Sequence, residues 1–143
     1  MKTLFDTNVI LDLLLDRQPF ADQAAYLLTL VESSAMTGLI CATTVTTIHY
    51  LLAKALGTRE AARHIRSLLS LFEIAPVNRV VLENAVAAGF PDFEDAVIHE
   101  AARHAGAKYI VTRDLSGFTK ATLPVFEPSG LINAFESLKN NDQ

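Results

Sequence analysis

Asp6 and Asp114 hold the same place in two distant parts of the chain. Each stands just past a short apolar run, Leu4-Phe5 in one case and Tyr109-Ile110-Val111 in the other. If both runs are strands of an open α/β sheet, both side chains fall at the edge where such sheets bind ligands. A third acidic group, Asp92-Phe93-Glu94-Asp95, opens a helical segment just before the second run, with Asp95 in its first turn. Acids in a first turn are favoured by the helix dipole, each by about 0.3–1 kcal/mol, and Asp92 with Asp95 has the spacing of a capping box. Capping explains one or two acids there, but a third adds repulsion, so Asp92 and Glu94 read as acids supporting Asp95. Three carboxylates in one crevice raise one another's pKa and stay ionised together only when a cation joins them. With one cysteine in the chain and no histidine pair at ligand spacing, the donor set is oxygen alone, which suits Mg²⁺ or Mn²⁺ rather than zinc.

The other polar groups admit plainer roles. Asp6, Thr7 and Asn8 are residue types favoured around a helix start. His99 shares a helix face with Asp95 and reads as a structural partner. Arg17 and Arg113 are the cations nearest in sequence to the acidic ends and suit a phosphate. Between Thr43 and Phe72 the chain carries Lys54, Arg59, Arg63 and Arg66 against Glu60 alone, whereas Glu73 to Glu100 holds six acids against Arg79. The basic helix with Arg59, Arg63 and Arg66 is therefore the candidate nucleic-acid contact in a chain whose net charge of −4 gives no general attraction for polyanions.

Positioning these groups requires strands and helices in alternation. Short apolar runs at 3–5, 38–42, 72–77, 108–112 and 125–126 read as strands. Segments with 3–4 spacing at 8–16, 20–33, 43–56, 58–71, 79–88, 92–105 and 128–138 read as helices. Gly57 is expected to close the third helix as an αL cap and Thr58 to cap the fourth. The alternation predicts an α/β domain with a parallel sheet and helices on both faces. At 143 residues, half of them apolar, the chain suits a single domain over 1–138 with a disordered tail at 139–143. The lone Cys41 excludes an internal disulfide framework, and no apolar run is long enough to span a bilayer, so a cytoplasmic location is expected.

Three pieces in order carry a resemblance: Phe5-Asp6-Thr7-Asn8-Val9-Ile10-Leu11-Asp12, Asp92-Phe93-Glu94-Asp95-Ala96, and Ile110-Val111-Thr112-Arg113-Asp114 with Phe118 beyond. The chain resembles the PIN-domain nucleases and, within them, the VapC-like toxin ribonucleases of bacterial toxin–antitoxin pairs. The resemblance implies a three-layer α/β/α domain with a central parallel sheet of about five short strands. It also implies a metal-dependent RNA-cleaving site of Asp6, Asp95 and Asp114, supported by Asn8 and Thr112. An RNA substrate, a cognate antitoxin and a homodimer are the partners it suggests. In one respect the chain departs from the pattern. The family usually places a glutamate in the helix after the second strand; the matching position is Thr47, and no acid occurs from Ala35 to Arg59. The alternative is therefore a catalytically impaired module of the same fold that binds RNA or protein.

Overall fold

Three adjacent strands form the middle of the molecule: β1 (Lys2–Phe5), β2 (Thr37–Cys41) and β4 (Tyr109–Val111), with β3 (Glu73–Ala75) and β5 (Val125–Phe126) outside them. In the computed structural model, which describes residues 1–141, all pair in parallel in the order β3-β2-β1-β4-β5. Leu4 stands level with Leu39 on one side and Ile110 on the other. Successive residues of a strand face opposite sides, so the sheet splits its apolar residues between two cores. Leu4, Leu39 and Ile110 pack beneath α5 (Arg79–Ala87) and α6 (Phe93–His104). Phe5, Ile40 and Val111 pack against α1 (Thr7–Leu14), α2 (Ala21–Glu32), α3 (Ala42–Leu56), α4 (Thr58–Leu71) and α7 (Pro128–Asn141). The result is the expected three-layer α/β/α arrangement.

Burial explains why the short strands need so little length. The three middle strands are buried on both faces, as parallel strands are, with Leu4, Ile40 and Ile110 fully inaccessible, whereas the edge strands β3 and β5 are partly exposed. Phe5 meets Phe72 edge to face at 5.2 Å between centroids, a pair worth about 0.5–1.5 kcal/mol beyond its burial. Among the described residues, no helix is long and apolar enough to cross a membrane.

Two local expectations change. Gly57 has φ 94° and ψ 159°, an extended conformation at positive φ that is essentially confined to glycine, rather than an αL cap. Gly57 itself precedes α4, so Thr58 is the first helical residue and makes no cap hydrogen bond. At the carboxyl end, α7 continues through Lys139 to Asn141 where a disordered tail is expected; residues 142–143 lie outside the described residues.

Candidate active site

The carboxyl edge of the sheet places the end of β1 beside the end of β4. The backbone fixes this, because Asp6 N–H donates to the Val111 carbonyl at 3.0 Å. Asp6 is buried and both of its oxygens are held. Its Oδ1 accepts from the Thr7 amide at 2.8 Å, capping α1, while its Oδ2 accepts from Thr112 Oγ1 at 2.8 Å. Thr112 Oγ1 in turn accepts from the Asp114 amide at 3.0 Å and from Asn8 Nδ2 at 3.2 Å. A hydroxyl has one proton to give and two lone pairs to fill, so every capacity of Thr112 is used. Asn8 completes the brace by accepting from the Arg113 amide through Oδ1 at 3.1 Å.

The third acid arrives from the other face. Asp92 caps α6, its Oδ1 accepting from the Asp95 amide at 3.1 Å, and this cap sets the first turn that carries Asp95. A 3-10 turn at Leu115–Phe118 then carries the chain past both carboxylates. A β-carbon added to Gly117 would lie 2.5 Å from Asp95 Oδ2 and 3.1 Å from Asp114 Oδ2, so any other residue here would push the carboxylates from these positions. Asp114 also accepts from Ser116 Oγ through Oδ1 at 2.6 Å. Together Asp6, Asn8, Asp92, Glu94, Asp95 and Asp114 line one cleft of ≈ 390 Å³.

Crowding shows in the electrostatics. Burial, followed by the charges of Asp6, Asp92, Asp114 and Glu94, pushes the half-buried Asp95 up to about 7. Asp6 is also raised, chiefly by burial. The hydrogen bonds from Thr112 and Thr7 oppose the rise, and the charges of Asp114 and Asp92 add to it.

The chain has counterparts among known proteins. The chain matches the PIN domain family over residues 2–116. It belongs to that family. Ribonuclease VapC1 of Aquifex aeolicus is 24% identical over 82% of this chain and 85% of its own. A toxin–antitoxin complex from Klebsiella pneumoniae contains a chain 25% identical, with a TM-score of 0.67 over 88% of this chain and 97% of that one. FitAcB from Neisseria gonorrhoeae superposes with a TM-score of 0.69 at 24% identity, over 89% of this chain and 98% of that one. The chain is thus a VapC-like PIN domain.

In this PIN domain the donor set fits a hard divalent cation: it is all oxygen and acidic, and two of its members, Asp6 and Asp95, are raised in pKa by burial and by the neighbouring acids. The fit is an open one. Among the described residues no three His, Cys, Asp or Glu side chains are placed to hold a metal ion as they stand, so the fit is one of donor chemistry and not of a formed cage. No acid comes from α3. Thr47 is not among the cleft-lining residues, and its Oγ1 donates back to the Thr43 carbonyl at 3.4 Å within the helix.

The basic residues divide. Arg17 and Arg113 do line the cleft, but both are held by Asp12, a fully buried carboxylate. Arg17 Nε donates to its Oδ1 at 2.9 Å; Arg113 donates through Nε to Oδ2 and through Nη2 to Oδ1 at 3.0 Å. The Arg113 guanidinium also lies over the Phe20 ring at 3.9 Å. Each arginine has five N–H donors, so donors remain for a phosphate. Arg59, Arg63 and Arg66 stand on α4 and are not among the cleft-lining residues, and Arg63 is bonded to Glu60 at 2.6 Å. His99 is structural: its buried Nε2 accepts from the Thr122 amide at 3.0 Å, tying α6 to the segment before β5.

Sequence reasoning missed Asp12, Ser116 and Gly117. Asp12 closes the first matching piece of sequence and interrupts the apolar run Val9 to Leu15, but neither pattern assigns it a role. The available signal was a carboxylate on the buried side of α1 with an arginine five residues on, since a buried charge demands a partner.

Proposed function

We propose that this PIN domain is a divalent-metal-dependent endoribonuclease and the toxin of a bacterial toxin–antitoxin pair, acting on cytoplasmic RNA. The observation that carries the reading is the convergence of Asp6, Asp95 and Asp114 on one cleft, from β1, α6 and the end of β4. Asp6, Asp95 and Asp114 are the residues that would hold Mg²⁺ or Mn²⁺. Such an ion supplies Lewis-acid polarisation of a phosphate oxygen and an activated water.

The remaining work belongs to the chain. Thr112 and Thr7 fix both oxygens of Asp6, and the Thr112 bond to the Asp114 amide keeps Asp114 in register with it. Asp95, raised to about 7, is a group able to carry a proton near neutrality in the metal-free protein. Arg17 and Arg113 supply positive charge beside the acids, where a phosphodiester would otherwise be repelled. Single-stranded or looped RNA is the substrate class, since its backbone is reachable without opening a duplex. Arg59, Arg63 and Arg66 extend the contact beyond the cleft. A cognate antitoxin is part of the same proposal, supported by the toxin–antitoxin complex in which a related chain is found, and a homodimer is proposed with it.

One observation favours a second reading, a catalytically impaired module that binds RNA or protein: α3 brings no carboxylate to the cleft. Incubating wild type and Asp95→Asn with a broad RNA panel and Mn²⁺ separates the two. Cleavage by wild type, lost in Asp95→Asn, supports the nuclease; silence of both on every RNA supports the binding module.

A further inference from the structure

A second cavity, of ≈ 260 Å³, adjoins the acidic cleft and is lined by Phe20, Gln23, Arg113, Glu127, Pro128 and Ser129. Arg113 lines both spaces, so one side chain borders each of them. The second cavity lies at the same carboxyl edge of the sheet. Glu127 directly follows β5, and β5 runs beside β4, whose far end carries Asp114. The Phe126 carbonyl accepts from the Thr112 amide at 2.9 Å, which locks Glu127 to the strand end that braces the acids.

The chemistry of the second cavity differs from that of the first. Its wall contains the Arg113 guanidinium over the Phe20 ring, 3.9 Å from the ring centroid, held by the Arg113 bonds to buried Asp12. Aromatic faces and arginine planes are the surfaces on which unpaired RNA bases stack. Gln23 offers an amide, Ser129 a hydroxyl and Glu127 a carboxylate. Glu127 makes no side-chain hydrogen bond or ion pair among the described residues, although Arg113 borders the same space. Arg113 directs its Nε and Nη2 to Asp12, and among the described residues no donor meets the Glu127 oxygens, which are open to a ligand.

We propose that this cavity is a nucleobase subsite that selects guanine next to the phosphate in the acidic cleft. A carboxylate only accepts hydrogen bonds. Guanine alone among the RNA bases presents two adjacent donors, N1–H and the N2 amine, on its Watson–Crick edge, and these match the two oxygens of Glu127. Adenine and cytosine each offer one amine beside an acceptor, and uracil one N–H between two acceptors; an acceptor facing Glu127 is repelled. The Phe20 and Arg113 pair supplies the sequence-independent part of the contact, and Gln23 and Ser129 flank the base. The proposal rests on the ribonuclease reading for its biological substrate, but base binding needs no metal.

Two measurements on the full chain test it. In metal-free buffer, GMP, IMP and AMP are titrated while backbone amide resonances are followed by NMR. The expected result is that GMP shifts the amides of Phe20, Gln23 and Ser129, and that IMP, which lacks the N2 amine, and AMP bind about tenfold more weakly or worse, as for loss of a two-point base contact. Glu127→Gln, which trades one acceptor oxygen for a donor at an exposed position, should erase the preference for GMP over IMP. In the second measurement a random-sequence RNA pool is cut with Mn²⁺ and the ends are sequenced. A fixed guanine beside the cut is expected for wild type and its loss for Glu127→Gln. If GMP leaves those amides unmoved, or if Glu127→Gln retains the wild-type preference, the subsite is wrong. Cutting with no base preference overturns the subsite and leaves the ribonuclease intact. GMP binding that depends on Glu127, with no RNA cut under any metal, keeps the subsite and overturns the ribonuclease.

Discussion

Thr112 Oγ1 donates to Asp6 Oδ2 at 2.8 Å across 106 positions of sequence, and the same oxygen accepts the amide of Asp114. One buried hydroxyl thus couples two of the three acids. Thr112→Val removes the hydroxyl at nearly constant volume, leaving the Asp6 carboxylate short of a donor and the Asp114 amide short of an acceptor. The expected cost is about 2 kcal/mol, since a bond to a charged group is worth about 1.5–3 kcal/mol. RNA cleavage should fall by more than the loss of folded protein explains. Thr112→Ser restores both, whereas a rescue failure with normal folding would show that the methyl group, not the hydroxyl, is what the site uses.

Gly117→Ala is expected to damage the site with little harm to the rest of the fold. The new methyl group would meet Asp95 Oδ2 at 2.5 Å and Asp114 Oδ2 at 3.1 Å, too close for the carboxylates to stay in place. Mn²⁺ affinity, measured by calorimetry, should drop at least tenfold while thermal unfolding of the metal-free protein stays near wild type. Unchanged Mn²⁺ binding would mean that the turn yields instead.

Much of the architecture is legible without coordinates because it rests on local pattern. The apolar runs ending at Phe5 and Val111 and the acid cluster opening α6 mark the sheet edge by residue type alone. Asp12 is another matter. Its partner Arg113 lies 101 positions away, and nothing in the local pattern of either residue announces the other. Gly117 has an ordinary appearance in Leu115-Ser116-Gly117-Phe118; its need for a missing side chain arises only when α6 and the end of β4 are brought together. The cap on α4 is misread for a related reason, since a threonine beside a glycine leaves open which of them turns the chain.

Asp12→Ala should be among the more destabilising single changes in the chain. It leaves Arg17 and Arg113 without their shared carboxylate and opens a hole at a position that is 1% exposed. Breaking a buried pair costs about 3–5 kcal/mol, and because both arginines keep contact with solvent, the lower figure, about 3 kcal/mol, is expected. Urea unfolding measures it. A loss below about 1 kcal/mol would show that solvent replaces the pair.

Stability of the metal-free protein should fall as pH rises. The folded-state pKa of Asp95, about 7, lies above its ordinary value of 3.8, so between these values the folded state holds more protons than the unfolded one, and unfolding becomes easier with increasing pH. Asp6 is shifted the same way. Melting temperature should therefore decline from pH 5 to pH 8, with Asp95→Asn flattening the decline and melting above wild type at pH 8. Wild type and Asp95→Asn profiles that run parallel over this range would contradict the crowding of the acids, because buried His99, shifted down, acts equally in both.

Calorimetric titration of Mn²⁺ at pH 6.5 tests the central claim most directly. Wild type should bind the ion weakly, with an enthalpy that varies with the ionisation enthalpy of the buffer, because the ion must expel the proton that Asp95 carries at that pH. The Asp6→Asn, Asp95→Asn double variant should show neither binding nor proton release. Equal Mn²⁺ binding by wild type and the double variant would contradict the account and place the metal elsewhere.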